Sequence, residues 1–320
     1  MPGATRAGIS AWKPTSGWGF ADTGGLISVR SMATIALLGI GLLGEAIGHR
    51  LLSRGCDLRV WNRTPERCRG LLEAGATPIA HLCESAAAEC DAVLTVLRDG
   101  QVTRTVVAEL GPLGGSCLLP MGTMGITEIQ ALAADVQTKN GCCLEAPVLG
   151  SRPQALQGSL LVMAGGEPEL FEQQRPLLEL MSEQPLLVGP MGSGAATKLA
   201  LNQLIASLTH AFSLSIRLVQ QAGVSVETFM AILRNSALYA PTFDKKLQRM
   251  LDGHYSDPNF STALLRKDLR LFLEEATAAG LQVSGLGGLD ALLEQSSGAE
   301  LEDLDYCSLH ELTLQNPPNR

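Results

Sequence analysis

Two polar side chains, Lys198 and Asn202, interrupt an apolar stretch of small residues that reads GAATKLALNQ. Because they are four residues apart, a helix would place both on one face, where they can address the same substrate atom. Apolar neighbours and the positive end of a helix starting near Gly194 both disfavour a cation, so we expect a lowered pKa for Lys198. A lysine tuned in this way is suited to general acid chemistry. On spacing alone, the alternative that Lys198 is a surface lysine and Asn202 an unrelated asparagine stays open.

A second chemical signature lies in the apolar segment ATIALLGIGLLG, which starts at residue 33. Its glycines match the turn between a strand and a helix that binds the pyrophosphate of a dinucleotide. Glycines alone also serve simple turns, but here a strand pattern precedes them, a helical pattern follows, and a second strand covers residues 57–61. The residues of this expected phosphate-binding turn are Gly39, Ile40, Gly41, Leu42, Leu43 and Gly44.

The segment WNRT, about twenty residues after the glycines, bears on the choice of cofactor. Asn62 stands where an NAD-binding site usually has an acidic residue for the ribose hydroxyls. Arg63 follows it, in a position to pair with a 2′-phosphate, and Thr64 is expected to bind the cofactor next to them. The sequence therefore predicts NADP(H) rather than NAD(H).

The elements that must position these residues form two regions. Up to about Pro190, strand-like and helix-like segments alternate, which is typical of a doubly wound parallel sheet. Ligands bind at the carboxyl ends of such strands, so we expect Leu97, Thr123 and the loop 146–151 to face one crevice. The predicted strands cover residues 35–38, 57–61, 77–80, 92–97, 116–121, 142–145, 159–164 and 185–188.

From Gly194 onwards only helical periods remain, beginning with a helix of nearly thirty residues. Its apolar spacing on more than one face predicts burial on all sides, as in a helix that joins two domains and packs against a partner subunit. Further helical segments lie near 226–235, 243–251, 262–279, 286–297 and 303–313. The predicted fold class is α/β, with a Rossmann-type doubly wound sheet followed by an all-α domain. The predicted regions are an extension at 1–32, a cofactor domain at 33–192 and a helical domain at 193–320.

Composition narrows the range of functions. The chain has 320 residues, 46% of them hydrophobic, which suits a two-domain enzyme. A net charge of −8 argues against nucleic acid or an anionic membrane as the main partner. Eight cysteines form no CxxC pair and do not cluster with the five histidines, so we predict free thiols and no metal site. No run of 18 apolar residues occurs, so we predict no membrane span.

The first 31 residues differ from the rest in being rich in Gly, Pro, Ser and Thr without a sustained period. They are interpreted as a disordered or mis-assigned extension, with Met32 as the natural start and a cytoplasmic location. The alternative is a targeting segment for organelle import, since its basic residues outnumber its one acid. It lacks the amphipathic or apolar helix that such a segment needs.

Four ordered blocks carry a resemblance to a known family, the β-hydroxyacid dehydrogenases. This group includes 3-hydroxyisobutyrate dehydrogenase, tartronate semialdehyde reductase and the plant glyoxylate/succinic semialdehyde reductases. WNRT looks most like the semialdehyde reductase branch, which uses NADPH. The resemblance implies NADP(H)-dependent interconversion of a small hydroxy acid and its aldehyde or semialdehyde. The blocks are GIGLLG with WNRT, EAPVLGSRPQALQGSLLVMAGG at 145–166, GSGAATKLALNQ at 192–203 and FSTALLRKDLRL at 260–271.

The resemblance also implies roles for single residues. Lys198 matches the catalytic lysine, which protonates the nascent alkoxide in reduction and deprotonates the alcohol in oxidation, and Asn202 matches the residue that orients the substrate. Lys267 matches a lysine at the cofactor and substrate pocket, with a solvated helix lysine as the alternative. Phe260 matches an aromatic near the nicotinamide, with a core aromatic as the alternative.

The same resemblance places Thr123 and Leu97 at the cofactor, Thr123 also at the substrate, and gives Asp268 a structural role.

Two departures from the family pattern concern the substrate. Where the family has PVSGG, this chain has Leu149, Gly150 and Ser151 after Pro-Val, and Gly122 replaces the serine of a Ser-Thr pair. Leu149 removes a hydroxyl donor, while the Gly150 N–H, a displaced Ser151 hydroxyl and Lys267 remain to bind a carboxylate. An imine reductase of related fold and a catalytically silent NADP-binding interaction module are the alternatives. The long helix predicts at least a homodimer or homotetramer.

Overall fold

A computed structural model describes residues 33–83, 87–298 and 300–314. The expectations for residues 1–31, an extension or a targeting segment, lie outside the described residues.

A six-stranded parallel sheet forms the first half of the described chain, in the order β3-β2-β1-β4-β5-β6. β1 lies between β2 and β4, so the strand order reverses beside it, and in such sheets ligands bind at this reversal. The predicted Rossmann-type sheet is confirmed. Its strands are β1 Thr34–Leu38, β2 Asp57–Trp61, β3 Thr77–Pro78, β4 Ala92–Thr95, β5 Cys117–Pro120 and β6 Cys142–Cys143.

Alternating apolar side chains of β1 show why helices cover both faces of this sheet. Ile35 and Leu37 belong to a core on one face, and Ala36 and Leu38 belong to the core on the other. A strand buried on both sides needs helices above and below it. Those in this region are α1 Leu42–Ser53, α2 Arg69–Glu73, α3 Gly100–Glu109, α4 Ile126–Thr138, α5 Arg152–Gln157 and α6 Pro168–Leu178.

Several strands are shorter than predicted at their carboxyl ends. β4 stops at Thr95 rather than at residue 97, and β5 stops at Pro120 rather than at residue 121. Beyond these ends only single backbone hydrogen bonds continue, such as the one that the Met121 N–H donates to the Thr95 carbonyl over 2.9 Å. Leu97 and Thr123 therefore lie in loops at the predicted edge of the sheet.

The strands predicted at 159–164 and 185–188 do not extend the parallel sheet, which corrects the prediction. They form a second, three-stranded sheet in the order β7-β8-β9, in which β7 pairs antiparallel with β8. β7 lies within the loop predicted at 146–151. A strand of two residues is too short to show an alternating pattern in the sequence. The strands are β7 Val148–Leu149, β8 Leu161–Gly165 and β9 Leu186–Gly189.

The predicted long helix is α7, Ser193–Gln221, with 29 residues. It packs against β8, α10 and α12. Leu204, Leu214 and Leu218 of α7 are exposed in the single chain, so its burial on all sides, which was predicted with a partner subunit, stays a prediction. α7 is long and apolar enough to cross a membrane, but core helices of soluble proteins can have the same length and composition.

The remaining helices surround α7 and share a separate apolar core that includes Phe212, Phe243 and Leu265. The segment predicted as a helix at 303–313 instead contains one 3₁₀ turn, Tyr306–Ser308, which Asp305 caps, and one helical turn, Leu309–Leu312. A domain boundary at 192/193 stays a prediction. The helices are α8 Val226–Arg234, α9 Pro241–Asp252, α10 Thr262–Ala278, α11 Ser284–Glu294 and α12 Leu309–Leu312.

Candidate active site

Helices α7 and α10 bring four polar residues together. Lys198 and Asn202 come from α7, and Lys267 and Asp268 come from α10. The buried Asn202 Nδ2 donates to the buried Asp268 Oδ2 over 2.6 Å. Because an ionised carboxylate only accepts hydrogen bonds, this contact fixes the orientation of the Asn202 amide. Among the described residues, the Asn202 Oδ1 has no hydrogen-bond partner.

Lys267 connects this cluster to the parallel sheet. Its Nζ lies 2.6 Å from the Asp268 Oδ1 and donates to the Thr123 carbonyl over 3.2 Å. The Lys267 side chain is only 22% exposed, so it is not a freely solvated helix lysine. The structure thus brings Lys267 and Thr123 together, although the contact uses the Thr123 backbone rather than its hydroxyl.

Lys198 is half-buried beside these groups. Burial lowers the pKa of Lys198 to about 8, the Asp268 carboxylate opposes this effect, and the Lys267 ammonium adds to it. Within the described chain its Nζ has no hydrogen-bond or ion-pair partner. The direction of the predicted shift agrees with the structure, but the positive helix end named as one cause is neutralised by another residue.

That residue is Glu145, which the sequence reasoning missed. It is buried, its Oε1 accepts from the Gly192 N–H (2.5 Å) and the Gly194 N–H (2.9 Å), and its Oε2 accepts from the Ala195 N–H (2.9 Å). Burial raises the pKa of Glu145, and the three hydrogen bonds oppose this. An acid between a buried strand and an apolar Ala-Pro-Val segment was the available signal, since such a carboxylate needs donors.

A cavity of about 390 Å³ lies beside Lys267, between α10 and the loop after β4. Its walls include Arg98, Asp99, Leu264 and Leu271. Most of its lining residues are charged, and neither Lys198 nor Asn202 is among them. Asp99 also caps α3 by accepting from the Val102 N–H over 2.8 Å, so the loop that forms this wall is held in place.

The predicted phosphate-binding turn has the geometry of an anion site. Gly39 adopts φ +101°, which favours glycine, and its N–H donates to the Trp61 carbonyl over 2.9 Å. Gly41 is the N-cap of α1, no side chain of the described residues caps that helix end, and a Cβ added to Gly41 would meet none of their atoms within 4 Å. The first amides of α1 therefore face open space, where a phosphate can accept hydrogen bonds from them.

Asn62 supports this turn instead of pointing away from it. Its Oδ1 accepts from the Ile40 N–H over 3.0 Å, and its Nδ2 donates to the Thr64 carbonyl over 2.9 Å. Arg63 and Thr64 are exposed next to it. The asparagine therefore ties the phosphate turn to the loop that presents Arg63.

Leu97 and Gly122 meet where the loops after β4 and β5 approach each other. A Cβ built on Gly122 would overlap the Leu97 carbonyl oxygen. The serine that the family places at this position would therefore require the two loops to move apart. Gly122 is explained by this close approach, and not by a special backbone angle.

The predicted substrate loop, residues 149–151, is not hydrogen-bonded to the lysine cluster. Leu149 lies in β7, paired with Leu161. The Ser151 hydroxyl donates to the Gln154 Oε1 over 2.7 Å, within a capping box at the start of α5. Gly150 is exposed, and within the described chain no partner is recorded for its N–H. Of the predicted carboxylate donors, the Ser151 hydroxyl and the Lys267 ammonium are thus already engaged within the described chain, whereas the Gly150 N–H is not.

Phe260 lies two residues before α10. Its ring packs at a tilt against Tyr306, with 5.8 Å between ring centroids, and it borders the core of the C-terminal helices. This packing agrees with the alternative of a core aromatic. Phe260 is half-buried there.

Two family models match the chain. The NAD binding domain of 6-phosphogluconate dehydrogenase matches residues 34–200, and the NAD-binding region of NADP-dependent 3-hydroxyisobutyrate dehydrogenase matches residues 192–313. The chain belongs to the β-hydroxyacid dehydrogenase family. The resemblance predicted from the four sequence blocks is confirmed.

Relatives of this chain include an enzyme and a nuclear factor. Glyoxylate/succinic semialdehyde reductase 1 of Arabidopsis thaliana is 29% identical over 285 residues, which cover 87% of this chain and 97% of the plant protein. The human cytokine-like nuclear factor N-PAC is 27% identical over 283 residues, which cover 86% of this chain and 50% of N-PAC.

Among solved structures, 3-hydroxyisobutyrate dehydrogenase of Mycobacterium tuberculosis with L-serine matches with a TM-score of 0.78 at 24% identity. The match covers 88% of this chain and 98% of that one, and it shows the shared fold. Family membership itself supports the binding of a nicotinamide dinucleotide and NAD(P)-dependent hydroxy acid dehydrogenase activity.

Proposed function

We propose that this β-hydroxyacid dehydrogenase uses NADP(H) to interconvert a small 3-hydroxy acid, or a similar hydroxy acid, and its aldehyde or semialdehyde. The observation that carries the proposal is the state of Lys198. Its amino group is half-buried, has a pKa of about 8 and lies one helical turn from the unpartnered carbonyl oxygen of Asn202. Such an amine can both donate and accept a proton near neutral pH.

The open amides at the start of α1 support a dinucleotide cofactor, because they fit a pyrophosphate. The preference for NADP(H) over NAD(H) rests on Asn62 and Arg63. An aspartate at position 62 would set a carboxylate against the Thr64 carbonyl, where Asn62 now donates a hydrogen bond. The exposed Arg63 guanidinium beside it is suited to a 2′-phosphate.

When bound, the nicotinamide supplies or takes up the hydride. Lys198 donates a proton to the substrate oxygen in reduction and removes it in oxidation. The Asn202 Oδ1 accepts the hydrogen bond of the substrate hydroxyl, and Asp268 holds Asn202 in the one orientation that allows this. Orientation of reacting groups and placement of charge are the contributions of the protein.

Binding of the substrate carboxylate falls mainly to Lys267 and to the Gly150 N–H. Leu149 and Gly122 bring no hydroxyl, and the Ser151 hydroxyl already donates to Gln154. The loss of one hydrogen bond to a charged group costs about 1.5–3 kcal/mol, which is enough to change the preferred acid. We infer a substrate that tolerates an apolar Leu149 near its carboxylate.

A second candidate function is a catalytically silent NADP-binding interaction module. The engaged Ser151 hydroxyl and the apolar Leu149 favour it, and the N-PAC match belongs to a protein named as a nuclear factor. Lys198, Asn202 and Lys267 favour catalysis, and they also count against an imine reductase, whose family usually lacks this lysine pair.

The test is oxidation of NADPH and NADH by the purified protein with glyoxylate, succinic semialdehyde, tartronate semialdehyde and methylmalonate semialdehyde. Lys198→Ala should lower turnover by about 10²- to 10⁴-fold, the usual contribution of a general acid, while NADPH binding is kept. Lys245→Ala removes an exposed lysine of α9 and serves as the matched control.

Turnover that survives Lys198→Ala would contradict the assigned proton donor. NADPH binding without turnover of any aldehyde would favour the silent module, and turnover of a cyclic imine alone would favour the imine reductase.

We also propose a homodimer or homotetramer in which a second copy covers the exposed leucines of α7. Leu204, Leu214 and Leu218 would otherwise leave an apolar stripe in water. Light scattering after size-exclusion chromatography tests this, and a monodisperse monomer at micromolar concentration would contradict it. We further propose that the protein binds small molecules rather than nucleic acid or a membrane, and that it acts in the cytoplasm.

A further inference from the structure

Glu145 is a buried carboxylate to which the proposed chemistry gives no role. Its backbone lies between the two sheets, where its N–H donates to the Gly165 carbonyl over 3.1 Å and its carbonyl accepts from the Gly165 N–H over 3.0 Å. The side chain then reaches the first turn of α7. Glu145 thus connects the edges of both sheets to the helix that carries Lys198.

The space around the carboxylate is shaped by glycines. A Cβ built on Gly165 would overlap the Glu145 Oε1, and a Cβ built on Gly194 would lie 3.0 Å from the Glu145 Cδ. Three backbone N–H groups saturate one side of the carboxylate. A buried charge with this many donors is held in one place, since moving it would leave it unsatisfied.

Lys198 follows Ala195, the last donor to Glu145, by three residues in the same continuous helix. A helix is stiff over one turn, so the position of its first turn sets the position of the Lys198 amine. We propose that Glu145 is a positioning residue for Lys198, acting by fixing the first turn of α7 through the Gly192, Gly194 and Ala195 amides. The catalytic consequence rests on the proposed function, but the effect on Lys198 itself does not.

The charge of Glu145 adds a second effect. The N-terminus of a helix carries a partial positive charge of about half an elementary charge, which disfavours a nearby ammonium. The Glu145 carboxylate neutralises this end. Without it, the Lys198 ammonium would face an uncompensated helix end in addition to Lys267.

The experiment compares Glu145→Gln with Glu145→Asp. Glutamine keeps the length but loses the charge and sets an NH₂ group against at least one backbone N–H, whereas aspartate keeps the charge on a shorter arm. The pKa of Lys198 is measured by pH-dependent acetylation with acetic anhydride, read by mass spectrometry of the Lys198 peptide, which needs no turnover. NADPH affinity, kcat and KM are measured in parallel.

In Glu145→Gln we expect the pKa of Lys198 to fall and kcat to fall about ten- to a hundredfold, as for a small misplacement of a catalytic group, with NADPH affinity within about twofold. Glu145→Asp should keep the pKa of Lys198 near that of the wild type and recover part of kcat. This split between the two variants would not arise from a loss of stability alone.

Glu311→Gln is the control for loss of a shielded carboxylate. Glu311 accepts from the Tyr255 hydroxyl and pairs with Arg217, which lies about 28 Å from Lys198 along the axis of α7. It should lower thermal stability without moving the pKa of Lys198. An unchanged pKa of Lys198 and unchanged kcat in folded Glu145→Gln would overturn the proposal.

If Glu145→Gln does not fold, Glu145→Asp decides, because a pKa and a kcat both identical to those of the wild type would overturn the proposal as well. If wild-type protein turns over no aldehyde, the proposed function fails, and the acetylation profiles still test the positioning role.

Discussion

The N-termini of α1 and α7 carry the same partial positive charge, but among the described residues a side chain caps only the N-terminus of α7. Both helices follow a glycine-containing turn, and both have first-turn amides that lack a carbonyl partner within the helix. At α1 no side chain of the described residues caps the amides, whereas at α7 Glu145 accepts from three of them. The difference shows that a helix end can receive an outside anion only where the chain supplies none of its own.

The largest expected effect on cofactor affinity comes from giving α1 a carboxylate cap like that of α7. Gly41→Asp places a carboxylate at the open N-cap, where the extended backbone and empty space accept it. We expect NADPH affinity to fall about ten- to a hundredfold, because a hydrogen bond to a charged group is lost and like charges meet. Thermal stability should be unchanged or higher.

Gly41→Asn, which caps the helix without charge, should weaken NADPH binding less. Equal binding by Gly41→Asp and wild type in a fluorescence titration would show that the cofactor phosphate does not use this end.

The pH dependence of turnover reports on the α7 side of the comparison. Reduction needs protonated Lys198, whose pKa is lowered to about 8, so kcat/KM for reduction should fall about tenfold per pH unit above pH 8. Oxidation needs the neutral amine and should rise through the same pH. Profiles measured in both directions check this, and a fall in reduction only above pH 10 would indicate an unperturbed lysine.

The smallest expected effect concerns the loop beside α1. Asn62→Asp keeps the acceptor for the Ile40 N–H but loses the donor to Thr64 and adds a negative charge near Arg63. We expect NADPH affinity to fall by about tenfold, or 1.4 kcal/mol, with NADH affected less. Arg63→Gln removes only the cation and is the matched comparison. A preference for NADPH that survives both substitutions would contradict the assigned 2′-phosphate site.

The spacing of residues close together in the sequence predicted the phosphate-binding turn before α1 and most residues of the candidate active site. The phosphate turn at Gly39, and the pairing of Lys198 with Asn202, depend on residues within a few positions of each other. The role of Glu145 depends on contacts 47 or more residues away, which no periodic pattern encodes. β7 was not predicted for a related reason, because its two residues form a strand only by pairing with β8.

The tethers of α10 to the loop and first turn that follow β5 bear on motion. Lys267 donates to the Thr123 carbonyl, and Glu275 accepts from the Thr127 N–H and hydroxyl, all at 3.2–3.4 Å. Any outward swing of α10 must break these contacts first. Each contact contributes about 1 kcal/mol net, which is small beside the burial of Leu265 and Leu269 in the helical core, so packing rather than these contacts holds α10 in place. Breaking the contact at Thr123 would leave the Lys267 ammonium paired with Asp268, which moves with it on the same helix, and would turn one of its N–H groups towards an arriving anion.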